Sequence, residues 1–187
     1  MAGWVLGIDS LTRIFPSGIN MKFPTASSFF LSAFGLYYIF RTVKDNYEAS
    51  RVILPGIAIA IFLFQGIILM SYLTDTFTGL DMLFVVETSH AYGAGSGLPA
   101  INTMISFILF GVVCVAALFP GPRLSGKIKF FGYFILIFGT SALGGYAFGL
   151  PWLYSQFIDS MIPMAVNTAL LFVLLGLGLV VISKIEK

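Results

Sequence analysis

Five stretches of this chain, at about 24–40, 52–73, 101–119, 130–150 and 165–183, contain no Asp, Glu, Lys, Arg or His. Each is close to the roughly 17–25 mostly apolar residues that a helix needs to cross a hydrocarbon core of about 30 Å. In that solvent every backbone N–H and C=O must be satisfied within protein, which admits helices and closed barrels. A barrel strand would alternate apolar and polar residues with period two, and no such alternation runs through these stretches. The expected fold class is therefore an all-α integral membrane protein with five transmembrane helices. Composition agrees. Charged residues make up 10% of the 187, against roughly 25% in a soluble domain, too few to cover a globule in water.

The connecting segments set an expected orientation. Arg41, Lys44 and Arg51 follow the first stretch, Arg123, Lys127 and Lys129 follow the third, and Lys184 and Lys187 follow the fifth. The alternate connections, 74–100 and 151–164, hold Asp75, Asp81, Glu87 and Asp159 but no Lys or Arg. The positive-inside rule places the basic connections and the C-terminus in the cytoplasm, giving a multi-pass protein of the inner (cytoplasmic) membrane. Arg13 and Lys22 are mild exceptions. Trp4, Trp152, Tyr72, Tyr92 and Tyr154 gather near the outer boundary, where amphipathic rings anchor a span.

Superimposed on the spans is an internal repeat. Pro24-Thr25-Ala26-Ser27-Ser28-Phe29-Phe30-Leu31 matches Asn102-Thr103-Met104-Ile105-Ser106-Phe107-Ile108-Leu109 and Asn167-Thr168-Ala169-Leu170-Leu171-Phe172-Val173-Leu174. In each copy Thr is followed by Phe at plus four, Leu at plus six and a small residue (Ala33, Gly111, Gly176) at plus eight. A pattern recurring at long intervals marks a repeated supersecondary unit, here a membrane helical hairpin. Trp4 precedes Thr25 by 21 residues and Tyr146 precedes Thr168 by 22, so the expected design is three degenerate hairpins with the first incomplete. Residues 1–23 are then an outer interfacial segment or the remnant of a preceding helix, and 24–187 are the five-helix membrane domain.

Each motif has the marks of a helix start. Asn102 and Asn167 are expected as N-caps, Pro24 suits the first turn, and the Thr hydroxyls can bond a free N–H or a neighbouring helix. Gly35, Gly139, Gly144, Gly145, Gly149 and Gly178, with the small residues at plus eight, are expected to let helices approach closely. Capping and packing account for all of this. The sharper reading is that three helix N-termini converge on an outer-leaflet pocket whose partial positive charge favours an anionic or carbonyl-bearing ligand. The candidate ligand-binding residues are Asn102, Thr103, Asn167, Thr168, Thr25, Trp152, Gln65 and His90.

Little else carries chemistry. Gln65 lies in the middle of the second stretch, where a polar group faces another helix or a ligand. His90, the single histidine, stands in the glycine-rich outer connection; alone it makes no zinc site, and it is either an ordinary loop residue or a pH-sensitive one. Gly93-Ala94-Gly95-Ser96-Gly97 lacks the Lys-Ser/Thr ending of a phosphate loop. Cys114 is the one cysteine, which excludes an internal disulfide and multi-cysteine metal sites; inside an apolar run it reads as a buried, inert thiol. No charge lies within a span to serve as a proton relay or ion-coupled carrier. No nucleophile with a base and no cofactor motif is present, so neither catalysis nor a cofactor is expected. The small net charge of +2, dispersed along the chain, points away from nucleic acid. The expected partners are the lipid bilayer and either a second copy of the chain or other membrane subunits.

The run Gly144-Gly145-Tyr146-Ala147-Phe148-Gly149-Leu150-Pro151-Trp152-Leu153-Tyr154, followed by Ile162-Pro163-Met164-Ala165-Val166-Asn167-Thr168 through Leu179, resembles a familiar membrane region. It is similar to the N-terminal multi-helix sensor domains that precede PAS, histidine-kinase and diguanylate-cyclase modules in bacteria. Gly3-Trp4 through Met21 to Gly35 resembles the same pattern. The resemblance implies a non-enzymatic signal-input domain whose last helix leads into a cytoplasmic transmitter. The chain stops at Lys187, so any catalytic output is expected on a missing segment or a partner chain. Two alternatives stay open: a structural or accessory subunit of a larger membrane complex, and a small lipid or quinone carrier.

Overall fold

A computed structural model describes residues 21–44, 47–74, 99–155 and 163–185. They form α1 (Phe23–Val43), α2 (Glu48–Thr74), α3 (Ile101–Ala116), α4 (Leu124–Phe148), the short α5 (Pro151–Ser155) and α6 (Val166–Ser183). No strand occurs among the described residues. Four helices, α1, α2, α4 and α6, are long and apolar enough to cross a membrane. The third stretch is a shorter apolar helix of 16 residues, about 24 Å long at 1.5 Å per residue. It ends ahead of the expected boundary at 119 because Pro120 and Pro122 follow. Proline lacks the N–H that the helix needs, and it pushes the residue before it out of the helical region. Conversely, α4 starts at Leu124 rather than near 130, so Lys127 and Lys129 stand in its first turns.

The solvent these helices require shows in what they bury. Thr25, Ser28, Ser32, Gln65, Thr103, Ser106 and Thr168 are buried, while Phe30, Phe34, Ile59, Leu63, Ile137, Leu174 and Val181 are exposed. A water-soluble bundle has the opposite distribution. With apolar surroundings outside, hydrophobicity no longer drives helix association. Close packing of small residues and hydrogen bonds between helices must do so instead.

The α4–α6 pair is the most extensive in the fold, and its glycines show why. A Cβ built on Gly176 would stand 2.7 Å from the Leu136 backbone nitrogen, and one on Gly139 would stand 2.8 Å from the Ala169 carbonyl oxygen and the Val173 nitrogen. The two backbones are in direct contact. At the far end of the pair the Ser125 hydroxyl donates to the Ser183 carbonyl. The other extensive pair is α2–α3, where Phe62 fills the space left by Gly111. Between the two pairs sits α1. Gly35 faces Phe110 and Cys114 of α3, and Leu36 packs over Gly178 of α6. The Ser50 hydroxyl of α2 donates to the Tyr38 carbonyl of α1 at 3.1 Å.

Some expected glycine contacts do not form. Gly144 has no neighbouring atom that a Cβ would meet, so it contributes nothing to helix approach. Gly149 instead ends α4, at φ +64°, and the Leu150 N–H bonds back to the Gly145 carbonyl at 2.8 Å. That left-handed closure favours glycine.

Candidate functional site

Thr25, Thr103 and Thr168 are each the third residue of their helix, in α1, α3 and α6. All three are almost fully buried. One turn further on, the plus-four phenylalanines meet. Phe29 lies 4.7 Å from Phe107 and 4.7 Å from Phe172, and Phe107 lies 5.0 Å from Phe172, ring centre to ring centre. This triangle holds the starts of the three helices together at one end of the bundle. Its tilted and edge-on geometry is the arrangement that ring quadrupoles favour.

The expected asparagine caps do not form. The extended residues preceding α3 and α6 are Ala100 and Ala165, and neither helix has a side-chain cap bond. Asn102 and Asn167 sit at the second helical position. From there the Asn167 side-chain oxygen Oδ1 accepts the neighbouring Thr168 N–H at 3.2 Å. Packing sets these starts instead: Ala165 is buried in a small cluster with Met21 and Ala26, and Ala100 belongs to the main core. Pro24 does lie in the first turn of α1.

Behind the triangle lies a buried polar group. The Gln65 Nε2 of α2 donates to the Ser28 Oγ of α1 at 2.7 Å, and the Ser32 hydroxyl donates to the Ser28 carbonyl at 2.8 Å. The opposite atom of the same amide, Gln65 Oε1, has no partner among the described residues, and neither does the Ser106 hydroxyl of α3. Both side chains are fully buried. The Phe29–Phe107 contact puts Ser28 level with Ser106, each being the residue before its motif phenylalanine. One level of the bundle thus contains a free acceptor and a free donor, in a setting where an unmade bond costs about 1–3 kcal/mol. The sequence reading missed both serines. Their signal was serine at plus three in two copies of the motif. The third copy has Leu171 there, which is exposed, so the polar group belongs to the α1–α2–α3 side alone.

The chemistry this arrangement permits is recognition by neutral hydrogen bonds, without proton transfer. No cluster of His, Cys, Asp or Glu able to hold a metal occurs among the described residues. Trp152 projects from α5 and is 53% exposed. Its neighbour Tyr154 stacks on Tyr146, with ring centres 4.1 Å apart. The Tyr146 hydroxyl donates to the Met164 carbonyl at 2.7 Å, and the Met164 N–H donates to the Tyr154 carbonyl at 2.9 Å. Those bonds tie the end of α4 and α5 to Met164, just ahead of α6. His90 lies outside the described residues. No family model, curated protein or solved structure matches this chain.

Proposed function

We propose that this chain is a non-enzymatic membrane input domain of a bacterial signalling protein, built as three helical-hairpin repeats with the first incomplete. In this reading α3 also crosses, as the third of five spans, the motif end faces outward, and the basic end and C-terminus lie in the cytoplasm. The repeat is supported by the matched position of Thr25, Thr103 and Thr168 and by the triangle of phenylalanines. The partners are the bilayer and a second copy of the chain.

One observation carries the sensing role: a buried amide, Gln65, is satisfied by Ser28 on one side and unsatisfied on the other, at the level of the unsatisfied Ser106 hydroxyl. A small ligand or a helix rearrangement that supplies those two bonds gains about 1–3 kcal/mol for each group satisfied. Coupling energies between allosteric sites are of the same size, about 1–3 kcal/mol. The route inward is mechanical. α1 carries Ser28, touches α6 through Phe29–Phe172 and Leu36–Gly178, and α6 leads to the C-terminal tail.

A fusion of Lys187 in frame to a histidine-kinase or diguanylate-cyclase output tests this. Gln65→Leu and Ser106→Ala each remove one unsatisfied group and should shift basal output several-fold. Output that ignores both substitutions in a protein that still inserts would refute the sensing role.

A further inference from the structure

At the basic end, opposite the polar group, an open cleft of about 880 Å³ runs between the end of α3 and the start of α4. Its walls are apolar, with Val112, Val115, Phe119 and Phe130 among them, and Arg123 and Lys127 also line it. No carboxylate is among the described residues that line it. The cleft runs along the last turns of α3 and past its end, where Phe119 joins the wall. At about 24 Å, this helix of 16 residues falls short of a hydrocarbon core of about 30 Å, while α4, with 25 residues, continues alongside. In the bilayer placement proposed above, the apolar walls fall at the depth of acyl chains and the two cations at the depth of headgroups.

We propose that this cleft is a binding site for one anionic phospholipid, with an acyl chain along Val112, Val115 and Phe130 and the headgroup phosphate between Arg123 and Lys127. Lipid chains match the apolar wall. The negative headgroup matches the paired cations, each of which is worth about a fivefold preference near a membrane surface. The occupied cleft fills the mismatch that α3 leaves and joins α3 to α4. The site rests on the bilayer placement of α3 and α4 given above and is independent of the polar group at the other end.

Brominated lipids provide the test. Phe130→Trp, combined with Trp4→Phe and Trp152→Phe, puts the only indole in the cleft; Phe119→Trp is a second reporter should the first fail to insert. The protein is reconstituted in phosphatidylcholine vesicles with rising brominated phosphatidylglycerol, or with brominated phosphatidylcholine as reference. The anionic lipid should quench with an association constant at least fivefold above the zwitterionic one. Arg123→Gln with Lys127→Gln should reduce that ratio to near one, whereas Arg51→Gln with Lys184→Gln, which alters exposed cations elsewhere, should leave it unchanged. Inorganic phosphate at constant ionic strength should also leave it unchanged.

Equal quenching by the two lipids would overturn the site. So would a preference that survives loss of Arg123 and Lys127, one lost equally without Arg51 and Lys184, or one abolished by free phosphate. Absence of quenching by either lipid would overturn the bilayer placement, and the site with it.

Discussion

The Gln65 amide and the Ser28 hydroxyl join α2 to α1 through one buried bond of 2.7 Å, and the two side chains are unequal partners in it. Ser28→Ala removes the acceptor and leaves a fully buried amide with neither end satisfied, a cost of about 1–3 kcal/mol. Gln65→Leu removes one bond and one unsatisfied acceptor but leaves the buried Ser28 hydroxyl without its partner, so it should cost less than Ser28→Ala. The conservative alanine substitution is therefore expected to lower the unfolding temperature in detergent by more than the leucine substitution does. A Gln65→Leu protein less stable than Ser28→Ala would contradict the bonding described.

Gly176 and Gly139 hold the α4 and α6 backbones in contact, and Gly144 and Gly66 contact nothing that a Cβ would reach. Gly176→Ala and Gly139→Ala should each destabilise the fold by about 1–3 kcal/mol, because backbone atoms cannot yield as a side chain can. Gly144→Ala and Gly66→Ala should be neutral or add up to about 1 kcal/mol from helix propensity. Thermal unfolding of the four variants in one detergent checks the ranking, which fails if Gly176→Ala is as stable as Gly144→Ala.

The ring triangle makes a prediction about coupling rather than size. Phe29→Leu and Phe107→Leu, measured singly and together, should show an interaction energy of about 0.5–1.5 kcal/mol. Additive losses would mean that the rings meet only by proximity and do not hold the helix starts together.

Thiol labelling tests the orientation. Cys114 is fully buried among the core residues, so native protein should resist maleimide until it is unfolded in sodium dodecyl sulfate. With that silent background, Lys127→Cys should react only in inverted vesicles and Trp152→Cys only in intact cells. The reverse pattern would place the basic end outside and reverse the direction in which a signal would run.

Much of the fold was legible because lipid imposes a narrow rule on sequence. Charge-free runs of span length mark helices, and four of the five stretches became helices long enough to cross, with α3 shortened by Pro120 and Pro122. The motif's spacing also foretold that three helices would start alike. What it could not foretell was the cap. Asn102 and Asn167 fit the preference for a capping side chain, yet Ala100 and Ala165 took that position, since burial against residues distant in the chain outweighs a bond worth about 1 kcal/mol.

By itself the sequence determined the apolar helical character of the chain and the repeated placement of Thr25, Thr103 and Thr168, which follow from local composition and periodicity. Only tertiary structure decided which polar groups find partners. Gln65 is one amide in an apolar run until α1 brings Ser28 to it, and Ser28 and Ser106 share one pattern position yet differ in bonding. The tertiary structure likewise opened the cleft at Arg123 and Lys127, because the ends of two helices must be set side by side before a space forms between them.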